Sequence, residues 1–282
     1  MRPDAETAGV VGVVGLGAMG GRLADRLAAE GRPVLGYDPF GGTTGADRVD
    51  DLAALAEAAS VLLLVLPTAA AVRGVAADLA PLVGPDHVLV NHSTVAVRDA
   101  AALGSLAGTG CRVLDAPFSG GTESAVAGTL TVFAGGDPDA LRAAQPVLAA
   151  YASRVVPCGP LGAGTTVKLL HQHLVAAHVV AAAETVRLAV SAGLAETAVA
   201  GLLAGTAADS AMLQVLVARL ADEPGPVRGS TRILHKDATL VAGFAEGLGV
   251  RLDLLPAVTR VLARHLETAD ADRDIAALAR DA

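Results

Sequence analysis

The sequence predicts an α/β fold, a doubly wound parallel sheet followed by an all-helical domain, on three observations. The run Gly15-Leu16-Gly17-Ala18-Met19-Gly20 lies between an apolar stretch and a helical one. Short continuous apolar runs then alternate with helical segments as far as residue 157, and Thr165–Ala192 contains neither Gly nor Pro. Continuous apolar runs mark parallel strands covered on both faces. A stretch that long without a breaker reads as one helix. The expected division is residues 1–162 and residues 163–282.

The elements follow in order. Gly9–Val14 is a β-rich run, Gly21–Glu30 a helix that Gly31 ends, and Pro33–Tyr37 a strand ending at Asp38, together one β-α-β unit of about 30 residues. Asp51–Ala59 is helical, Val61–Leu66 a strand, Ala69–Leu82 a helix, Val88–Asn91 a strand, Arg98–Gly108 a helix and Arg112–Asp115 a strand. Leu130–Ala134 and Arg154–Pro157 read as later strands around the helix Asp139–Tyr151, which Asp137 and Pro138 announce. Gly159–Gly164 is a turn-rich hinge. After the long helix come Ala195–Leu203, Ser210–Ala221, Ile233–Leu248 and Pro256–Asp270, all helical in pattern. Gly41–Asp50 carries no helical pattern, so the wall beside Asp38 is expected to be open.

Composition excludes several classes. With 52% hydrophobic and 18% charged residues the chain of 282 is globular, and long enough for two domains. Aromatics are 2% with no Trp, which gives no stacking platforms for nucleic acid, and a net charge of −8 without a basic cluster disfavours nucleic acid and anionic membranes as partners. The start Met-Arg-Pro-Asp-Ala-Glu lacks the basic region of a signal peptide, and the apolar runs Val61–Leu66 and Leu174–Ala183 are too short to span a bilayer. Isolated Cys111 and Cys158 read as reduced thiols, so a cytoplasmic protein is expected. No two of His171, His173 and His178 are four residues apart, and no metal is expected.

The glycine loop carries the first chemistry. In G-x-G-x-x-G the first Gly permits the tight turn, the second lets backbone approach a pyrophosphate, and the third lets the helix pack on the strand. Alone the pattern is weak, because 32 residues are Gly; between a strand and a helix, with an acid at the next strand end, it reads as a dinucleotide site. Asp38 there accepts from ribose hydroxyls and repels a 2′-phosphate, and Pro39–Thr44 offers no Arg or Lys to offset it. NAD is therefore expected over NADP.

Further motifs run in order along nearly the whole chain. They are Gly15-Leu16-Gly17-Ala18-Met19-Gly20; Leu66-Pro67-Thr68; Asn91-His92-Ser93-Thr94-Val95; Asp115-Ala116-Pro117-Phe118-Ser119-Gly120-Gly121; Gly128-Thr129-Leu130; Gly135-Gly136-Asp137; Gly162-Ala163-Gly164-Thr165-Thr166-Val167-Lys168; and Lys236-Asp237. Together they resemble the β-hydroxyacid dehydrogenases, which include 3-hydroxyisobutyrate, tartronate semialdehyde and L-threonate enzymes. The resemblance implies a Rossmann-type domain, hydride transfer between a nicotinamide cofactor and a small hydroxy acid, and Lys168 as the proton-transfer residue. It also implies cofactor contacts at residues 15–20, Asp38, Leu66, Pro67, Thr68, Thr94 and Lys236, with Asp237 supporting Lys236. Substrate contacts are implied at Thr94, Ser119, Gly120, Gly121, His171 and Gln172, and association into a homodimer or homotetramer through the helical domain.

The residue types suit that chemistry. Hydride leaves a carbinol carbon only as the hydroxyl proton is lost, so a base must lie within hydrogen-bond reach of that oxygen. Lysine, at about 10.4, serves near neutrality only where burial or a neighbouring cation lowers it. A snorkelling helix lysine is the usual alternative; the place of Lys168 between a glycine hinge and an apolar helix favours catalysis. Ser119-Gly120-Gly121 offers backbone N–H groups and a hydroxyl to a carboxylate. The family often has Asn at one or both of positions 171 and 172, and usually has Asp at position 91. His171-Gln172 departs from it, and the run from Lys168 to His178 is most similar to the L-threonate branch. Imine reductases share the architecture but generally lack the lysine. A non-catalytic nucleotide-binding scaffold would lose the lysine or the substrate loop, and both are present.

Overall fold

The computed structural model describes residues 9–42, 44–222, 225, 227–267 and 273–280. The start Met1–Glu6, Thr43 and the end of the expected last helix at Asp270 lie outside the described residues. The chain divides into two compact units, Met1–Lys168 and Leu169–Ala282.

In the first unit, β1 (Val10–Leu16), α1 (Gly20–Ala29) and β2 (Val34–Gly42) form the opening β-α-β unit. Next come β3 (Asp47–Arg48), α2 (Leu52–Ala58), β4 (Ala59–Leu64), α3 (Ala69–Leu79) and β5 (Val88–Asn91). They are followed by α4 (Val97–Ala102), a 3-10 turn (Leu103–Thr109), β6 (Arg112–Asp115), β7 (Phe118–Ser119) and α5 (Thr122–Ala127). The unit continues with β8 (Leu130–Gly136), α6 (Pro138–Tyr151), β9 (Ala152–Gly159) and the start of α7 (Ala163–Ser191). Asp51, Thr68 and Asp137 cap α2, α3 and α6 through their side-chain oxygens, satisfying amides that a helix start leaves unpaired.

Among the described residues the sheet has the order β3-β2-β1-β4-β5-β6-β8, with β7 and β9 both paired to β8. From β3 to β6 every pairing is parallel, but β8 is antiparallel to β6 and β9 runs parallel to β8. The sheet is thus mixed at one end, where the apolar runs predict parallel strands throughout. Periodicity reports burial on both faces and is silent about direction. Both faces are indeed covered. Leu63, Val88, Val90 and Leu114 pack with Leu23, Leu27, Leu148 and Tyr151, while Leu62, Leu64, Leu89 and Val113 pack with Leu55, Leu79 and Leu106 on the other side. At roughly 25 cal/mol per Å² of apolar surface removed from water, these two layers are the main stabilising contribution of the unit.

Strand β1 lies between β2 and β4, so the chain leaves its carboxyl end toward opposite sides. That switch point is where open α/β sheets bind ligands. Strand β2 continues past its expected end at Asp38 to Gly42. The segment 41–50 contains β3, which pairs Leu35 with Asp47 and Gly36 with Arg48. Two residues are too few for a periodic signal.

The second unit holds the rest of α7, a 3-10 turn (Glu196–Ala198), α8 (Val199–Leu203), α9 (Ala211–Ala221), α10 (Thr231–Gly247), α11 (Leu255–Leu266) and a last 3-10 turn (Ile275–Ala279). The Asp274 carboxylate accepts from Arg219 and from the amides of Arg228 and Gly229, tying the last turn to α9 and the start of α10. Helix α7 has 29 residues and an 18-residue window of mean hydropathy 1.5, of which 33% is buried. By length and composition it could cross a membrane, although the apolar run Leu174–Ala183 within it is by itself too short. The core helix of a soluble protein passes the same test.

Candidate active site

The glycine loop fits a dinucleotide by its shape. Gly15 has φ +92°, and a Cβ on it would stand 2.4 Å from the Val65 carbonyl oxygen; a Cβ on Gly20 would stand 1.8 Å from that of Gly15. Only glycine therefore lets α1 start this close to β1 and β4. A Cβ on Gly17 meets nothing within 4 Å. Gly17 and Ala18 are exposed, so the loop backbone is open on the side a pyrophosphate takes, at the positive end of α1. Leu16 is buried and Met19 half-buried, which makes them anchors of the loop.

At the end of β2 the Asp38 carboxylate accepts from the Leu16 amide at 2.8 Å and from the Phe40 amide at 2.9 Å. It thus holds the glycine loop to the β2 extension. The Arg48 guanidinium donates to the Asp38 main-chain carbonyl at 2.8 Å. Sequence reasoning placed no cation here, because Arg48 arrives through the pairing of β3. Phe40 stands almost wholly in solvent, at 98% exposure.

Beyond β4, the Leu66 amide donates to Ser93 Oγ at 2.9 Å, Pro67 is exposed, and Thr68 is the cap of α3. Ser93 joins the β4 and β5 loops, and half-buried Thr94 follows it. After β6, Asp115 is fully buried. Its Oδ1 accepts from the Gly162 amide at 2.7 Å and its Oδ2 from the Thr165 amide at 2.6 Å, at the start of α7. Burial pushes this carboxyl above its ordinary value, against the pull of the Thr165 and Gly162 amides. The first residue of the Asp-Ala-Pro-Phe-Ser-Gly-Gly motif therefore caps the helix of the Gly-x-Gly-x-x-x-Lys motif. In the sequence Asp115 stands within a motif, and the signal that marks it is a lone acid closing an apolar strand. Lys168 lies on the second turn of that helix, 7% exposed, while Ser119 and Gly121 are half-buried and Gly120 exposed.

Within the second unit, Gln172 is buried and donates through Nε2 to Asp237. His171 Nδ1 lies 2.8 Å from Gln172 Oε1, an acceptor only, so Nδ1 carries the proton. Lys236 Nζ pairs with Asp237 Oδ1 at 2.9 Å. These residues form one chain, His171 to Gln172 to Asp237, with Lys236 on the same carboxylate. A substrate contact at Gln172 must compete with these bonds. Among the described residues no group of three or more His, Cys, Asp or Glu side chains is placed to hold a metal.

Fold, switch point and glycine loop define the class as a dinucleotide-binding Rossmann-type protein. Residues 10–159 match the family described as the NAD binding domain of 6-phosphogluconate dehydrogenase, and residues 162–281 that described as NAD-binding of NADP-dependent 3-hydroxyisobutyrate dehydrogenase. The chain is 34% identical over 256 residues to L-threonate dehydrogenase of Escherichia coli, covering 86% of this chain and 85% of that one. It is 33% identical over 202 residues to a probable 3-hydroxyisobutyrate dehydrogenase of Mycobacterium tuberculosis, 69% of each chain. The solved 3-hydroxyisobutyrate dehydrogenase of Mycobacterium tuberculosis with L-serine matches with TM-score 0.84 at 27% identity, over 97% of this chain and 99% of that one. An imine reductase from Pseudomonas sp., at 21% identity and TM-score 0.63, shares the fold alone. The chain belongs to the β-hydroxyacid dehydrogenase family. It is an NAD(P)-dependent oxidoreductase that moves a hydride between the nicotinamide cofactor and a small hydroxy acid.

Proposed function

We propose that Lys168 is the general acid/base of this reaction and that the substrate is a polyhydroxylated acid of the L-threonate kind. The observation that carries the first part is the Asp115 carboxylate, which binds the start of the substrate loop to the start of the lysine helix. In oxidation Lys168 accepts the hydroxyl proton, and in reduction its ammonium returns one to the alkoxide oxygen. The nicotinamide, when bound, takes or supplies the hydride. Ser119, Gly120 and Gly121 hold the substrate carboxylate, with Thr94 lining the reacting face.

His171 and Gln172 bind the hydroxyls beyond the reacting carbon. Their bonds to each other and to Asp237 support this by holding two polar side chains in one orientation on the face of α7 that follows Lys168. Residues 15–20, Leu66, Pro67 and Thr68 bind the cofactor, and Lys236, held by Asp237, is a further cofactor residue. NAD is the preferred cofactor, because Asp38 repels a 2′-phosphate; Arg48 beside it softens the discrimination. The chain associates through its helical unit, where Leu170, Leu174, Leu188 and Val190 of α7 are exposed.

Initial rates on hydroxy acids of three to six carbons, with NAD and with NADP, test the reading. The expected result is the highest kcat/KM for an acid bearing a hydroxyl beyond the reacting one, with NAD. A clear preference for 3-hydroxyisobutyrate over L-threonate overturns the substrate, and a single sedimenting species near 28 kDa overturns the association.

A further inference from the structure

His92 is buried where none of the roles above requires it. Its ring lies just past β5 and is 3% exposed. Nδ1 stands 2.5 Å from the Ala116 carbonyl oxygen and Nε2 2.8 Å from the Tyr151 hydroxyl. A carbonyl only accepts, so Nδ1–H donates to Ala116, and Nε2 of the neutral ring accepts from Tyr151 O–H. The ring also packs on Phe118, with centroids 5.4 Å apart, and meets Tyr151 edge-on at 5.7 Å.

These contacts converge on one loop. The Ala116 amide donates to the Asn91 carbonyl at 2.7 Å, so both polar groups of the Ala116 backbone are bound to the β5 end, one by backbone and one by His92. Phe118, two residues on, leans on the same ring and leads directly into Ser119-Gly120-Gly121. Tyr151, the last residue of α6, is fully buried and braces the ring from behind. Burial lowers His92 to about 4, and the Ala116 bond opposes this only partly, so the ring stays neutral and keeps this bonding pattern near neutral pH.

We infer that His92 is a positioning residue: braced by Tyr151, it sets the backbone from Ala116 to Phe118, and thereby places Ser119-Gly120-Gly121 relative to the loop that carries Ser93 and Thr94. It touches no reactant and acts through the loop. The inference rests on the reading that this loop holds the substrate carboxylate. A displacement of about 1 Å in such a loop can cost roughly a hundredfold in rate.

Two amide substitutions separate positioning from packing. In His92→Asn the amide nitrogen falls near the place of Nδ1 and can donate to Ala116. In His92→Gln it falls near that of Nε2 and reaches Tyr151 instead. His92→Gln is expected to raise KM for the hydroxy acid about tenfold, the loss of one buried hydrogen bond, while Kd for the cofactor stays within about twofold. Hydrogen exchange across residues 116–121 should quicken in parallel, and His92→Asn should recover most of both. Equal KM and equal exchange in the two variants would reduce His92 to a packing residue and overturn the inference. Exchange that follows this order while KM does not move supports the brace and overturns instead the assignment of the loop to the carboxylate. Tyr151→Phe keeps the ring packing if the His92 variants do not fold, and a KM increase of about threefold is expected there. Unchanged KM and exchange in that variant would also overturn the inference.

Discussion

The glycine loop and the loop proposed to hold the substrate lie in the same unit and are built by opposite means. Residues 15–20 make their site from backbone and from missing side chains: a Cβ at Gly15 or Gly20 would collide with carbonyl oxygens, and one at Gly17 would meet open space. Residues 115–121 are held by buried polar side chains, Asp115 on the α7 amides and His92 on Ala116, with partners 47 and 24 residues away. The first design suits a ligand common to many enzymes, since backbone amides and a helix end recognise any pyrophosphate. The second ties residues 115–121 to the start of the helix that carries Lys168, so that on the proposed reading what is specific to this chemistry depends on long-range contacts.

The contrast can be broken most severely at Lys168. Lys168→Ala is expected to lower kcat by roughly 10²–10⁴-fold, the usual contribution of a general acid or base, with cofactor Kd unchanged by fluorescence titration. Near wild-type turnover would remove Lys168 from the chemistry. A cofactor Kd that weakened in step would mean that the two sites are not built independently.

A second effect distinguishes the loops by pH. His92 is neutral in the fold, lowered to about 4 from 6.5, so between those values the unfolded chain binds the extra proton and the folded one does not. This contribution to stability is complete above about pH 6.5 and is lost as pH falls toward 4, by on the order of 3 kcal/mol. Urea unfolding at pH 7 and pH 4.5 should show the loss, and His92→Asn should flatten it. An unaltered pH slope in that variant would show that the acid sensitivity lies elsewhere.

The smallest effect is expected on the cofactor side, at the solvent-exposed Arg48. Arg48→Ala should weaken NADP relative to NAD by about three- to fivefold, the size of one exposed charge contact. Titration with both cofactors at fixed ionic strength measures it. An unchanged ratio would mean that Arg48 serves only to hold the Asp38 carbonyl.

By itself the sequence determined the alternation of strands and helices in the first unit as far as β6, β3 apart, and with it the long helix, the glycine loop and the family. Each rests on a local pattern. Runs such as 61–66 must be buried on both faces, G-x-G-x-x-G needs only a strand before it and a helix after it, and Ser210 and Asp137 cap the helices that follow them. What only the tertiary structure decided has no local pattern. The reversed direction of β8 depends on which edge it joins. Strand β3, and with it the place of Arg48, exists only as a partner of β2. The caps and braces of residues 115–121 pair residues far apart in the chain, and a buried histidine or aspartate looks in sequence like any other until its partner is known. Period and propensity act over a few residues, whereas the hydrogen bonds of a buried polar side chain are satisfied wherever the folded chain brings a partner.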